Sequence, residues 1–269
     1  MTLDVVIATY KPEGILRVAR MLLPEQEGVK YIVSWQCHGD APLPECLQRK
    51  DIKVLRSDSI GSSANRNLGI EQTTGDIVYL ADDDIEILPG ALKKIMERFR
   101  NYPDTQVATF MMKEVSRKNY PKQVTELSFY LPKGYSVATY QMAFRRDIFP
   151  LVRFNEAFGI NSGVFESGED ELFHLSARKK GLKCRFFPDI LASHPHEATG
   201  RRKIFNPKVL HGMGALITVS YPKTFMLRLP LAAFRLHKQR RHSFFPAFFS
   251  LYVGSFKMLR YLLKPDSQL

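Results

Sequence analysis

The stretch SSANRNLGIEQTTGDIVYLADDDIEILPGAL, residues 62–92, decides the fold. Two serines that can cap a helix open it, and Thr73-Thr74-Gly75 closes the helix expected over Ser62–Gln72. Asp76–Ala81 (DIVYLA) is an apolar run of the kind that forms a strand covered on both faces. The run stops abruptly in Asp82-Asp83-Asp84. Pro89 then stands where the first turn of a helix tolerates proline, and Gly90–Arg100 continues at helical spacing.

The same alternation extends outward from this segment. Leu3–Thr9 (LDVVIAT) reads as a second buried strand, and Pro12–Leu23 places Ile15, Val18, Ala19, Leu22 and Leu23 on one helical face. Tyr31–Trp35 and Ile52–Leu55 are further strands. Downstream, Val107–Met112 and Tyr140–Arg145 are strands separated by irregular sequence. Asp170–Lys180 is a helix with Leu172, Phe173 and Leu175 inward, closed by Gly181. Two short strands, Cys184–Phe187 and Ile190–Ala192, precede His194. Strands alternating with helices imply an α/β domain with a mostly parallel, Rossmann-like central sheet flanked by helices.

Charge separates the chain into two parts. The net charge is +12, and from Arg201 onward there are 13 Lys/Arg against the single acid Asp266. Residues 1–200 therefore carry equal numbers of acids and bases. A nucleic-acid enzyme spreads cations around its site, so this distribution argues against that class. From about Lys223 the chain is rich in Phe, Leu and Arg, with the basic cluster His237–His242. The apolar stretch Phe244–Leu263 is interrupted by Pro246, Gly254, Lys257 and Arg260, which does not suit a transmembrane span. The expected division is a catalytic domain over 1–222 and a basic, aromatic helical tail over 223–269. That tail either lies at a membrane surface or packs on the body. Residues Met1–Tyr10 run directly into a strand pattern without a leader, so a cytoplasmic protein, peripheral on the inner membrane face, is expected. Cys37, Cys46 and Cys184 are too few and too scattered for a disulfide framework or a Cys-rich zinc site.

Four motifs carry chemistry. Asp82-Asp83-Asp84 closes a strand, and ligands of open α/β sheets bind beyond the carboxyl ends of strands. Adjacent carboxylates repel unless a cation neutralises them, and hard ions such as Mg²⁺ or Mn²⁺ favour such oxygens. A solvated acidic turn would carry the same letters. Gly168-Glu169-Asp170-Glu171 starts a helix, where the macrodipole favours acids whatever their role and where a general base can also be held. Ser193-His194-Pro195-His196-Glu197 places two histidines in a loop, a candidate metal or phosphate contact. It lacks the helical H-E-x-x-H spacing of zinc proteases. Gly61–Gly69 matches neither dinucleotide nor Walker glycine patterns, although Arg66 can still pair with a phosphate.

Together and in this order, three segments resemble inverting glycosyltransferase family 2, of GT-A fold, over roughly residues 3–197. They are VVIATYKP, residues 62–92, and SGEDELFHLSARKKGLKCRFFPDILASH. The resemblance implies a sugar transfer from a nucleotide-diphosphate donor to an acceptor hydroxyl, aided by a divalent metal. It assigns Thr9 and Tyr10 to the base pocket and Arg66 to the nucleotide or its diphosphate. Asp82 and Asp83 would stand near the ribose and donor sugar. Asp84 would be the metal ligand, assisted by Asp82, with His194 as a third and His196 as its substitute. Asp170 would be the catalytic base and Glu169 its neighbour in positioning the substrates. One departure stands out. Where many members carry an aspartate pair at the end of the second strand, this chain has Trp35-Gln36. Gln36 can bond a base edge and Trp35 can stack, which leaves guanosine and thymidine open beside uridine. The expected partners are thus the nucleotide sugar, a glycan or lipid-linked acceptor and a membrane surface, with no nucleic acid. A sugar-phosphate nucleotidyltransferase is the rival enzyme, but Thr9–Pro12 lacks the glycines of its phosphate loop. A membrane- or nucleic-acid-binding module driven by the tail is the rival outside enzymes.

Overall fold

The computed structural model describes residues 1–113, 118, 120–132, 134–194 and 206–264. In chain order its elements begin with β1 (Leu3–Tyr10), α1 (Lys11–Arg20), β2 (Val29–Gln36), β3 (Ile52–Ser57), α2 (Ser62–Glu71) and β4 (Ile77–Asp82). There follow β5 (Glu86–Ile87), α3 (Ala91–Asn101), β6 (Val107–Met112), β7 (Thr125–Glu126), β8 (Met142–Arg145), α4 (Glu169–Lys179) and β9 (Cys184–Ser193). Three helices end the described chain: α5 (Pro207–Ser220), α6 (Phe225–Lys238) and α7 (Phe244–Leu262).

The strands form one sheet in the order β3-β2-β1-β4-β8-β6-β9-β5, with β7 added on β9. The long ladders, β1 with β2 and β4, β2 with β3, and β6 with β9, are parallel. Among the described strands, only β8 and the two-residue strands β5 and β7 pair antiparallel. The expected mostly parallel sheet is therefore present, with one reversed strand set into its middle. Leu3, Val5, Ile7, Ile77 and Tyr79 are fully enclosed, as strands covered on both faces require.

One acid sits inside this apolar frame. Asp4, buried on β1, accepts hydrogen bonds from the backbone N–H of Thr74 at 2.6 Å and of Gly75 at 2.8 Å. Its carboxylate satisfies two donors of the turn that enters β4, so the starts of β1 and β4 are tied together.

The end of the sheet corrects one expectation. The two short strands read at 184–187 and 190–192 are a single strand, β9, whose pairing with β6 shifts register between Phe186 and Ile190. Pro188 falls inside that irregularity, where its missing N–H leaves no ladder bond unmade. Asp189 beside it is gripped by Arg98 of α3 through two hydrogen bonds of 2.7 and 2.9 Å. On α4, Leu172, Phe173 and Leu175 are buried as the spacing predicts. His174 is buried with them, and burial pushes its imidazole down to about 3, so it stays neutral in the core.

By its contacts the chain divides into two compact units: Met1–Ile60, Ala64–Arg153 and Phe173–His196 make one, and Gly61–Ser63, Phe154–Leu172 and Glu197–Leu269 the other. The second unit owes its helical part to α5 as well as to the segment beyond 223. Asn206 caps α5 by accepting from the Lys208 N–H at 3.0 Å, with Pro207 in the first turn. Leu210 of α5, Leu229, Ala233 and Leu236 of α6, and Ala247 and Leu251 of α7 form its core. Helices α5 and α7 touch backbone to backbone. A Cβ at Gly214 would lie 2.0 Å from the Leu251 carbonyl oxygen, and one at Gly254 would lie 2.1 Å from that of His211. Thr218 and Ser255 seal the same seam with a 2.8 Å hydrogen bond. Gly254, which reads as an interruption of the apolar stretch, is thus what lets α7 approach.

Gly214→Ala and Gly254→Ala each force this seam apart. Overpacking costs about 1–3 kcal/mol and outweighs the roughly 1 kcal/mol that alanine gains in a helix. Urea denaturation of each variant should show a loss of that net size. A gain in stability would mean that the two helices are not in backbone contact.

Candidate active site

Strands β1, β2 and β4 run parallel, and their carboxyl ends coincide: Ala8 is opposite Asp82, and Tyr10 is opposite Gln36. The topology therefore gathers Thr9, Tyr10, Gln36 and the three aspartates at one edge of the sheet.

The middle aspartate is the most constrained of the three. Asp83 is buried, and both its oxygens are occupied by protein donors. Arg17 of α1 donates from Nε at 3.0 Å and from Nη2 at 2.8 Å, a fork on a carboxylate, and Thr9 Oγ1 donates to Oδ2 as well. Burial pushes the Asp83 carboxyl up, and Arg17 and Thr9 pull it back. The same bond holds the Arg17 guanidinium more firmly protonated. Gly14 makes room for the cluster, since a Cβ there would sit 2.1 Å from Thr9 Oγ1. Asn65 of α2 completes it by donating to the Thr9 carbonyl at 3.0 Å. Asp83 is consequently a structural clasp across β1, α1 and β4.

Its neighbours differ. Arg66, buried on α2, donates to Asp82 Oδ1 at 3.1 Å. Asp84 has His194 Nε2 at 3.4 Å from Oδ1, because β5 pairs with β9 in a register that opposes Glu86 to Ser193. Burial first, and then the charge of Asp82, push the Asp84 carboxyl up, while His194 pulls the other way. The Tyr140 ring lies 5.8 Å from the imidazole. His196 lies outside the described residues.

The end of β2 behaves differently from what its letters suggest. Trp35 is wholly enclosed, with Nε1 donating to the Lys11 carbonyl at 2.9 Å. It offers no free face for a base and is a core residue. Gln36 is also buried, and its amide donates to Ser59 Oγ at 2.8 Å. Tyr10, half-buried, precedes Lys11, whose φ of 66° puts a non-glycine residue in the left-handed region at the start of α1.

The other acidic motif belongs to the second unit. Glu169 is buried and Asp170 half-buried in the first turn of α4, and Ser62 Oγ donates to Glu169 at 3.4 Å. Glu171 beside them is pushed up to about 7, chiefly by burial and further by the charge of Glu169.

Among the described residues, no group of three or more His, Cys, Asp or Glu side chains is arranged to hold a metal ion. An all-protein cage is not what the donor chemistry asks for, however. Asp84 is a carboxylate in a burial that raises its pKa, with the His194 imidazole beside it. Mg²⁺ characteristically takes one or two carboxylates and completes its shell with substrate phosphate. The residues present fit that arrangement, with Asp84 as the protein oxygen and Asp82 and His194 at its flanks.

Residues 40–162 match the model of glycosyl transferase family 2. The matched stretch is just under half of the chain and takes in α2, β4 and the three aspartates. A curated relative from Campylobacter jejuni, GalNAc(5)-diNAcBac-PP-undecaprenol beta-1,3-glucosyltransferase, is 30% identical over 104 residues, 36% of this chain. The matched segment spans about a third (34%) of that relative's length. Among solved structures, TarS residues 1–349 from S. aureus superimpose with a TM-score of 0.61 at 18% identity, over 81% of this chain and 66% of that one. The same protein in complex with UDP-GlcNAc gives 0.58 at 16% identity, over 97% and 89%. The GT-A fold expected from the motifs is thereby established.

Arg17 and Asn65 are the site residues that sequence reading passed over. Removing the Arg17 fork by Arg17→Met leaves Asp83 buried with Thr9 as its remaining partner. The guanidinium side chain is 42% exposed, so solvent screening reduces the loss to about 1–2 kcal/mol. In a double-mutant cycle with Asp83→Asn, the two losses should fall short of adding. Strict additivity would show that the pair is not coupled.

Proposed function

We propose that this chain transfers a sugar from a nucleotide-diphosphate donor, with uridine as the favoured base, to a hydroxyl of a lipid-linked glycan. The supporting observation is the aspartate triplet at the carboxyl ends of β1 and β4, inside the stretch that matches family 2, where one acid is clamped and the next stands beside His194. The lipid-linked acceptor named for the Campylobacter jejuni relative and the UDP-GlcNAc bound by TarS give the reading its chemical direction.

In this reading the chain's residues divide the work. The acceptor oxygen attacks the anomeric carbon, the bond from that carbon to the diphosphate breaks, and the nucleoside diphosphate leaves. Asp170 takes the proton of the attacking hydroxyl from the face opposite the leaving group, so the anomeric configuration inverts. Glu169 orients the substrates next to it. Thr9 and Tyr10 line the base and ribose end, with Gln36 behind them, and Arg66 meets the diphosphate. Asp83 keeps the donor edge in place through its clasp, and Asp82 stands at the sugar. A divalent ion, Mn²⁺ or Mg²⁺, held by Asp84 with Asp82 and His194, would supply positive charge to the leaving diphosphate. The setting is the cytoplasmic face of a membrane, where a lipid-linked acceptor of a surface polysaccharide pathway is presented.

Asp170→Asn should lower turnover by about 10²–10⁴ while nucleotide-diphosphate binding, followed by thermal shift with Mn²⁺, stays close to the parent. Asp84→Asn should instead lose the Mn²⁺-dependent part of that thermal shift. Full turnover by Asp170→Asn would remove the base assignment. An unchanged manganese response in Asp84→Asn would remove the metal assignment.

A further inference from the structure

Helices α6 and α7 each bury one face in the core of the second unit, and each also carries a second apolar face that no described residue covers. On α6 that face is Leu227, Leu231 and Phe234, spaced i, i+4, i+7. On α7 it is Phe245, Phe249 and Phe256, spaced i, i+4, i+11, and all six side chains are more than half exposed. Helical spacing puts each triplet on one stripe. A helix at a water-facing surface ordinarily shows polar residues there, so these stripes need an apolar occupant.

The charge around them identifies the occupant. Residues 206–264 contain ten Lys/Arg and no Asp/Glu, and all ten cations are exposed. They include Arg228 and Arg235, each one residue from a stripe position on α6, and Lys257, directly after Phe256 on α7. A second copy of the chain would bring the same unneutralised charge against itself, which opposes a dimer through this face. Single-stranded nucleic acid is recognised by stacking on aromatic faces, whereas half of the exposed stripe is Leu-rich α6. Phenylalanine and leucine in one stripe with cations beside it match a bilayer interface, with rings and methyls in the acyl boundary and cations at lipid phosphates. Among the described residues, no helix is long and apolar enough to cross a membrane.

We infer that the α6 and α7 stripes seat this chain on an anionic lipid surface, lying in the interface. The inference deepens the proposed setting by naming the side chains that make the contact, and it rests on that setting for its biological purpose.

The test is co-sedimentation of the full chain with vesicles of phosphatidylcholine alone and of phosphatidylcholine mixed with phosphatidylglycerol. Each attractive cation near an anionic surface contributes to partitioning, so binding should favour the mixed vesicles by about tenfold or more and weaken as salt rises. Phe249→Ser with Phe256→Ser removes two exposed rings and should lower partitioning by about tenfold or more, with an unchanged melting temperature because both side chains face outward. Equal partitioning of that variant would overturn the inference. So would absence of binding to mixed vesicles, a dimer dissociated by the two substitutions, or preferential binding of single-stranded DNA. Manganese-dependent nucleotide binding, measured on the same samples, separates the two readings. If it persists while vesicle binding is absent, the lipid seat alone fails; if it is absent while vesicle binding persists, the transferase assignment fails.

Discussion

The clasp on Asp83 is the constraint from which the carboxyl edge of the sheet follows. A carboxylate buried at the end of β4 is tolerable only with its oxygens satisfied, and Arg17 and Thr9 satisfy them from α1 and β1. Because that acid is committed to protein partners, the acids on either side are left with different partners. Asp82 faces Arg66, and Asp84 faces His194. Three identical letters in a row therefore become three chemical environments. The asymmetry is created by α1, α2 and the end of β9, which arrive from elsewhere in the chain.

Much of the sheet could be read from letters because burial on both faces leaves an unbroken apolar signature, as in Leu3–Thr9 and Asp76–Ala81. The motifs also led to the GT-A fold. What resisted reading was long-range pairing. Arg17 lies on a helix whose basic residues look like a solvated face, and its partner is 66 positions away. Trp35 and Gln36 occupy the end of a strand, where exposure would be expected, yet both are buried. The Lys11 carbonyl, at the start of α1, and Ser59, beyond the end of β3, claim them, and no local pattern announces either pairing. Pro188 split one strand into two on paper because proline argues against a ladder, whereas a shift of register absorbs it.

The second unit shows the same limits from another side. Its cations and phenylalanines were visible in composition, but which of them face outward depends on how α5, α6 and α7 share a core. Gly254 and Pro246 looked like breaks in an apolar segment. In the structure Pro246 sits in the first turn of α7 and Gly254 is a point of close approach to α5, so a single helix of 19 residues runs through both. The helical assembly also draws on Phe154–Leu172, which brings the Glu169-Asp170 motif into the same unit as the cationic helices. The acids of β4 and those of α4 are thus carried by different bodies of the chain, each with its own packing.

The buried carboxylate of Asp4 has a consequence at the far end of its strand. It pins the first residues of β1 to the turn that launches β4, and Leu3 stands opposite Ile77. From those paired origins both strands advance in step, so Thr9 and Asp83 arrive level with each other after equal paths. The two strands act as matched rulers with a common zero. Dropping or adding one residue along either would reverse the facing of every side chain beyond that point, and hydroxyl and carboxylate would pass without meeting.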